Sequence, residues 1–190
     1  ENKGYIESKK VTDAMNNVPR ELFMPKDKRQ YAYIDSPQPI GEGQTISAPH
    51  RVAMMVEALD LEKGQKVLEI GGGRGYHAAV IAEIIGEEGT VYTIELVESL
   101  GKSAREALST AGYENIKVII GDGSKGYPEE SPYDRISVAC GAPSIPSPMI
   151  KQLKIKGELL IPVGGSMYQE LIKATKLKDG KIKNEPPICK

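Results

Sequence analysis

Three glycines at alternate positions, Gly71, Gly73 and Gly75, follow the short apolar run Val67-Leu68-Glu69-Ile70 and run straight into a helical pattern from Tyr76 to Ile85. Without Cβ atoms they can take backbone angles closed to other residues and let a bulky ligand approach the main chain. A turn between a strand's carboxyl end and a helix's amino end is the usual ligand crevice of an open α/β sheet. The spacing separates ligand classes: a dinucleotide fingerprint wants its third glycine at the sixth position, which here is Tyr76, too large for close helix-to-strand packing. Glu95 ends the next apolar run, at about the 20-residue distance where an acid can accept both ribose hydroxyls of a nucleoside. An acid at a strand end is also an ordinary solvated turn residue. Asp122, between Gly121 and Gly123, can accept from an exocyclic amine such as adenine's, and can equally make an Asx turn. Ser47 precedes a helical pattern, where a hydroxyl serves either as a cap or as an orienting hydrogen-bond partner.

The elements that must position these residues alternate as a doubly wound, mostly parallel α/β sheet requires. Strands are expected at Val67 to Ile70, Val91 to Glu95, Ile116 to Ile120 and Arg135 to Ala139, with helices at Tyr76 to Ile85 and Glu98 to Ala111 between them. Pro146 to Leu153 predicts a further helix, starting on prolines suited to a first turn. Glu158 to Val163 and Gln169 to Leu177 are then expected to form an antiparallel edge hairpin through Gly164-Gly165. The first 65 residues fall outside the alternation. They form an expected N-terminal helical and loop extension: a short helix at Val11 to Asn17, a long ordered loop over Tyr31 to Pro49, where prolines and glycines argue against a regular element, and a helix at Arg51 to Leu59 with Val52, Met55, Val56 and Leu59 on one face. Residues 1–190 are read as one domain, with 1–65 as extension and 66–190 as the α/β core.

Composition narrows the partners. The 190 residues, 39% hydrophobic and 27% charged, suffice for one well-buried unit, and 25 basic against 26 acidic residues leave no electrostatic case for nucleic acid or an anionic membrane. No apolar run of about eighteen residues exists to span a bilayer, and the amino end carries no charged-then-apolar signal segment. Cys140 and Cys189 make no disulfide framework and no metal spacing, so a cytoplasmic location and no metal are expected, with Cys140 as a small buried hydrophobe. His50 at a helix start and His77 on the helix after the turn read as structural or packing residues. Among the tyrosines, Tyr31, Tyr33 and Tyr76 are the candidates for lining the cleft.

The G-x-G-x-G turn resembles the first motif of S-adenosylmethionine-dependent methyltransferases of Rossmann-like fold. Longer segments are more specific: Leu22-Phe23 with Pro25, the stretch from Pro39 to His50 (P-I-G-E-G-Q-T-I-S-A-P-H), Gly121 to Glu129, Pro132 to Ile136, and Leu160 to Gly164. From about Val18 to Leu177 the chain resembles the protein-L-isoaspartate O-methyltransferase family. The resemblance implies transfer of a methyl group from S-adenosyl-L-methionine to the side carboxylate of L-isoaspartyl residues in damaged proteins and peptides, leaving S-adenosyl-L-homocysteine. It implies that Gln44, Thr45, Ile46 and Ser47 close over the reactive end of the cofactor, with Ser47 as the catalytic residue near the substrate carboxylate. It assigns Glu69, Gly71, Gly73 and Gly75 to the cofactor turn, Glu95 and Leu96 to the ribose and adenine region, Asp122 and Gly123 to the base, and His50 and Gln169 to the cofactor pocket. The chain departs from the family's pattern at Gly72, where Thr or Ser is usual, and at Arg74, where a small residue is usual, so a hydroxyl contact is expected to be lost. Family members also usually continue into another strand beyond Ile182 to Ile188.

The expected chemistry needs few ionisable groups. A side-chain carboxyl, with an unperturbed pKa of about 4, is already an anion at neutral pH, so alignment in a partly dewatered site replaces acid or base help. Proline- and glycine-rich loops, Tyr31 to Gly43 and Gly141 to Pro148, are expected to form the walls of a peptide groove. The chain is expected to act as a monomer. Two other readings stand beside this one: a methyltransferase of the same fold acting on a small metabolite or tRNA, and a non-catalytic S-adenosylmethionine-binding module.

Overall fold

A computed structural model describes residues 6–165 and 168–188; Cys189 lies outside the described residues. In chain order the elements are α1 (Lys9–Asn17), β1 (Gln38–Gly41), β2 (Gln44–Ile46), α2 (Pro49–Ala58), β3 (Lys66–Ile70), α3 (Tyr76–Ile85), β4 (Thr90–Glu95), α4 (Glu98–Thr110), β5 (Ile116–Ile120), β6 (Tyr133–Val138), α5 (Ser147–Gln152), β7 (Leu153–Gly164), β8 (Gln169–Lys176) and β9 (Ile182–Asn184). Seven strands form one sheet in the order β5-β4-β3-β6-β7-β8-β9. The first five of these are mutually parallel, and β8 and β9 add antiparallel at the edge. The expected edge hairpin is present, with β7 and β8 paired from Glu158↔Thr175 to Gly164↔Gln169.

Alternation of buried side chains explains why this sheet is covered on both faces. Val67 and Val91 join one cluster with α1, α2, α3 and α4, while Leu68, Ile94 and Ile136 join another with Met149 of α5. Helix α3 is apolar nearly all round, with Ala78, Ala79, Val80, Ile81 and Ile85 buried, which anchors the glycine turn ahead of it. Each fully buried Val, Leu or Ile contributes roughly 1.5–3 kcal/mol through removal of apolar area from water. From β3 the chain winds outward to β4 and β5, then returns to place β6 on the other side of β3. Reversal of strand order between β3 and β6 opens a crevice beyond their carboxyl ends, where this class of sheet binds ligands.

Two local expectations are corrected. The segment from Tyr31 to Pro49 is not loop throughout: β1 and β2 pair as a two-stranded ribbon in which Pro39 sits opposite Thr45. Proline is tolerated there because a ribbon of two strands is all edge, and Glu42 and Gly43, with φ of +54° and +69°, supply the left-handed pair that tight hairpins favour. At the other end α5 stops at Gln152 and β7 begins at Leu153, earlier than Glu158; the pairing shifts between Tyr133 and Arg135, and Lys156 takes a φ of +65°. This bulge lets β7 extend toward β6's start. Among the described residues, no helix is long and apolar enough to cross a membrane.

Gly75 shows how tightly the turn is built. Its φ is +95°, and a Cβ there would lie 3.1 Å from Leu108 Cγ and Cδ1 and 3.4 Å from Ala104 Cβ, both on α4. Gly75→Ala is therefore expected to cost about 1–3 kcal/mol from backbone strain and crowding together. That loss lowers Tm by about 2–4 °C per kcal/mol, as thermal unfolding followed by circular dichroism will read.

Candidate active site

Beyond the carboxyl ends of β3, β4 and β6 lies a cavity of about 440 Å³, within the range of roughly 300–1,000 Å³ typical of small-molecule sites. Its floor is the start of the glycine turn, Gly71 to Gly73, with φ of +88° at Gly71 and +55° at Gly73. The amides of Gly71 and Gly72 both donate to the Ile94 carbonyl, at 2.9 and 3.1 Å, so the end of β4 fastens the bend. Glu95 completes the fastening. Its Oε2 accepts from the Gly73 amide at 2.7 Å and its Oε1 from the Val97 amide at 2.9 Å, which fixes a nearly buried carboxylate against the cavity. A carboxylate oxygen can accept a second bond, so Glu95 retains capacity for hydroxyl donors inside the cavity.

Asp122 satisfies both readings of its sequence context. It lines the cavity, and it also forms the Asx turn: the Ser124 amide donates to Oδ1 at 2.9 Å and the Ser124 hydroxyl to Oδ2 at 3.0 Å. These bonds from Ser124 hold its carboxyl below the usual range, so it is ionised at neutral pH. The following loop is clamped by the buried Gln152, which accepts from the Tyr127 amide at 2.8 Å and donates to the Lys125 carbonyl at 2.7 Å. Overhead, Gln44, Thr45, Ile46 and Ser47 line the cavity together with Ile40, Met55 and Tyr76. Ser47 does not cap α2. That helix opens with Ala48 at the cap position and Pro49 next, with no side-chain cap, so the Ser47 hydroxyl is not engaged in starting the helix.

Of the residues singled out in the sequence, Gln44, Thr45, Ile46, Ser47, Gly71, Gly73, Glu95, Leu96, Asp122 and Gly123 share the cavity lining, whereas His50, Glu69, Gly75 and Gln169 do not. His50 sits in the first turn of α2 with Nδ1 2.7 Å from Asp35 Oδ1. Gly75 faces α4. Gln169 packs behind the wall, because a Cβ built at Gly141 would overlap its side-chain amide. Glu69 lies under the turn with no exposed surface; the Thr93 hydroxyl donates to its Oε2 at 2.5 Å. His77 Nδ1 stands 3.1 Å from Glu69 Oε1, close enough for an ion pair but not aligned as a hydrogen bond; Oε1, and separately His77 Nε2, have no hydrogen-bond partner among the described residues.

Three readings are corrected by position. Cys140 is exposed on the cavity wall rather than buried, because β6 ends at Val138 and the chain turns outward there. Although the residue is exposed, the cavity wall around its sulfur partly desolvates the thiol and raises its pKa, so it remains a thiol at neutral pH. His77 lines the cavity over the buried Glu69 instead of merely packing or facing solvent. Tyr31 and Tyr33 stand exposed and away from the cavity, Tyr33 donating to Glu21; Tyr76 alone of the three lines it. Ile40, Met55, Leu100, Val138 and Met149 were not legible as lining, since their spacing is that of ordinary core residues. Ile40 carried a signal: it stands in the specific loop motif, and its Cδ1 would lie 3.3 Å from a Cβ at Gly73.

Comparison with known proteins adds an independent line. Residues 1–187 match the family model described as protein-L-isoaspartate(D-aspartate) O-methyltransferase. A protein-L-isoaspartate O-methyltransferase of Methanothermobacter thermautotrophicus is 60% identical over 171 residues, 90% of this chain and 79% of that protein. One from Ignicoccus hospitalis is 54% identical over 180 residues, 94% of this chain and 85% of that protein. Among solved structures, a protein-L-isoaspartate O-methyltransferase superposes with a TM-score of 0.82 at 33% identity, over 96% of this chain and 61% of that one. A putative protein-L-isoaspartate O-methyltransferase from Plasmodium falciparum, in complex with S-adenosyl-L-homocysteine, gives 0.83 at 25% identity over 98% of this chain and 91% of that one.

The departure at Gly72 has a local cause: a Cβ there would overlap the Thr93 hydroxyl oxygen and lie 3.5 Å from Glu69 Oε2. Gly72→Ser alone displaces Thr93 from Glu69 and is expected to cost about 1–3 kcal/mol, the penalty for a buried acceptor that loses its donor. Combined with Thr93→Ala, the serine hydroxyl has room to reach Glu69, so the double variant is expected to be more stable than the two single losses predict, by about 0.5–3 kcal/mol. Urea denaturation of all four proteins measures that coupling; strictly additive losses contradict the exchange of hydroxyls.

Proposed function

The chain belongs to the protein-L-isoaspartate(D-aspartate) O-methyltransferase family, and from that premise we propose how its cavity serves the reaction. The protein is an S-adenosylmethionine-dependent methyltransferase that acts on the side carboxylate of L-isoaspartyl residues in damaged proteins and peptides. The residues present fit the cofactor. A floor of Gly71, Gly72 and Gly73 leaves main chain open to a bulky ligand, while a nearly buried carboxylate and an Asx-turn carboxylate, Glu95 and Asp122, flank it in a cavity of suitable volume. When bound, the cofactor supplies an electrophilic methyl group on a cationic sulfur.

The chain's own residues bind and align. Glu95, pre-oriented by the amides of Gly73 and Val97, accepts from the ribose hydroxyls, with Leu96 beside the adenine and Asp122 and Gly123 at the base edge. Gln44, Thr45, Ile46 and Ser47 exclude water from above. The Ser47 hydroxyl donates to the substrate carboxylate and turns one oxygen toward the methyl carbon. No proton leaves the nucleophile, because a carboxyl with a pKa of about 4 is ionised at neutral pH. His50 is engaged with Asp35, and His77 with Glu69, and neither is assigned a proton transfer. Positioning of this kind is credited with up to roughly 7–11 kcal/mol of a barrier in favourable cases.

The observation that carries this reading is the convergence of the roof residues Gln44 to Ser47 with Glu95 and Asp122 around one space at the point where strand order reverses. Ile40 of the first wall and Gly141, Ala142 and Pro146 of the second line the same cavity, which supports the assignment of residues 31–43 and 141–148 as walls of a peptide groove. In keeping with this, the chain is read as one methyltransferase domain, residues 1–65 supplying the roof and 66–190 the cofactor core, acting as a monomer in the cytoplasm without nucleic acid. His50 and Gln169 are read as supports: one holds the loop through Asp35, the other backs Gly141.

Incubation with tritiated S-adenosylmethionine and an isoaspartyl peptide is expected to give alkali-labile methyl ester, absent with the aspartyl peptide or tRNA; no labile counts would sink the assignment. In the same assay kcat/KM is expected to rise with pH through the substrate carboxyl's pKa of about 4 and stay level through neutrality, without a limb near 6.5 from a histidine base. Ser47→Ala should lower kcat about 10- to 100-fold while leaving S-adenosylhomocysteine affinity unchanged, the size expected for one orienting hydrogen bond worth about 1–3 kcal/mol.

A further inference from the structure

Arg20 is one of the largest fully buried side chains among the described residues, 1% exposed, and its guanidinium is spent on main chain from two separate segments. Nε donates to the Ala32 carbonyl at 2.6 Å and Nη2 to the Ser47 carbonyl at 2.7 Å. Its Cζ stands 4.7 Å from the ring centroid of Tyr76, the first residue of α3 after the glycine turn and itself a wall of the cavity. Phe23 braces that ring from another side, with centroids 5.8 Å apart. Nη1 has no hydrogen-bond partner among the described residues. One side chain thus joins the N-terminal extension, the roof and the floor of the site.

Stability alone is a poor account of this arrangement. Burying a cation is costly, and a well-packed apolar side chain in its place is often neutral or better. What the guanidinium supplies is direction. A planar fork that stays charged makes short charge-assisted bonds to two carbonyls at fixed angles, which the point charge of a lysine cannot reproduce. Holding the Ser47 carbonyl sets that peptide plane, and with it the direction in which the Ser47 side chain leaves the backbone. The ring of Tyr76 fixes the opposite side of the guanidinium relative to the glycine turn.

We propose that Arg20 is a positioning residue for methyl transfer, acting through Ser47 by locking the roof at a set height and orientation over the floor. The proposal rests on the assignment of Ser47 as the residue that orients the substrate carboxylate. Its effect falls on turnover. The groups assigned to the nucleoside, Glu95 and Asp122, are held by the glycine turn and by Ser124, and Arg20 touches neither.

Arg20→Lys and Arg20→Met test it, alone and combined with Ser47→Ala, with thermal unfolding, S-adenosylhomocysteine calorimetry and kinetics on an isoaspartyl peptide. Both single variants are expected to bind S-adenosylhomocysteine within about threefold of wild type and to lose tenfold or more in kcat, and Arg20→Met is expected to melt no lower than Arg20→Lys. In the Ser47→Ala background, Arg20→Lys is expected to cost less than about threefold further, because two residues that act through one group are not additive. A folded variant with wild-type kcat, a full tenfold further loss in the Ser47→Ala background, or failure of both variants to fold overturns the proposal. Wild-type protein inactive on the isoaspartyl peptide would instead sink the functional assignment, a separate result from the others.

Discussion

The site depends on a backbone bend held shut from the neighbouring strand. Three glycines carry the chain from β3 into α3 through left-handed angles, with the Gly75 amide donating to the Gly72 carbonyl at 2.8 Å inside the bend. It persists because the carboxyl end of β4 receives it: two amides converge on the Ile94 carbonyl and a third on Glu95. The same Glu95 carboxylate accepts from Val97 and so starts α4, whose Leu108 and Ala104 then press against Gly75. Bend, acid and helix therefore form one closed loop of constraints. A buried acceptor already aligned by two amides loses little entropy on meeting a hydroxyl ligand, which is why a carboxylate fixed in this way suits nucleoside binding better than a mobile surface acid.

Beneath the bend a second polar layer shows how a departure from the family's pattern is accommodated. Glu69 is sealed from solvent, and an unsatisfied buried carboxylate is expensive, so its partners matter more than their number suggests. Thr93 reaches it from β4, and the hydroxyl stands where a side chain at position 72 would begin. A glycine at 72 and a threonine at 93 are thus two halves of one solution. The expected loss of a hydroxyl in the turn is offset by one delivered across the parallel pair Glu69↔Thr93.

Much of this was legible in the sequence, for identifiable reasons. Parallel strands buried on both faces announce themselves as short β-branched runs, and the helix from Tyr76 to Ile85 has the bounds that its flanking glycines predict. The β1–β2 hairpin was not legible, because Pro39 forbids a central strand but not a two-stranded ribbon. Cys140 was misplaced because apolar spacing does not reveal where a strand stops. The failure at His77 is more instructive. Its environment is made by Glu69, eight residues earlier and one strand away, and no periodicity reports a contact that exists only once the bend has folded. Arg20 is a sharper case of the same limit. A lone arginine between a proline and a glutamate carries no pattern that marks it as buried, and only tertiary structure shows that the chain has closed over it from Ala32, Ser47 and Tyr76.

The distribution of charge in the site follows from the reaction. An anionic nucleophile and a cationic methyl donor attract each other, yet in water each is solvated and the attraction is largely spent. An apolar surround restores it, provided that no fixed charge of either sign stands where the new bond forms. Much of the lining is neutral, Ile40, Ile46, Met55, Val138 and Met149 among it; Arg74 and His77 enter from the side of the glycine turn, and the acids Glu95 and Asp122 are those proposed for the nucleoside. Arg20, the one fully buried cation among the described residues, is kept behind the roof with its fork turned to main-chain carbonyls, so its charge is absorbed by dipoles before it reaches the cavity. A cation in direct contact with the substrate carboxylate would stabilise the ground state of the nucleophile more than a transition state in which its charge is being lost, and would slow the transfer. A neutral serine hydroxyl, weak as a donor and rigid in direction, would orient without that penalty, which is the part proposed for Ser47.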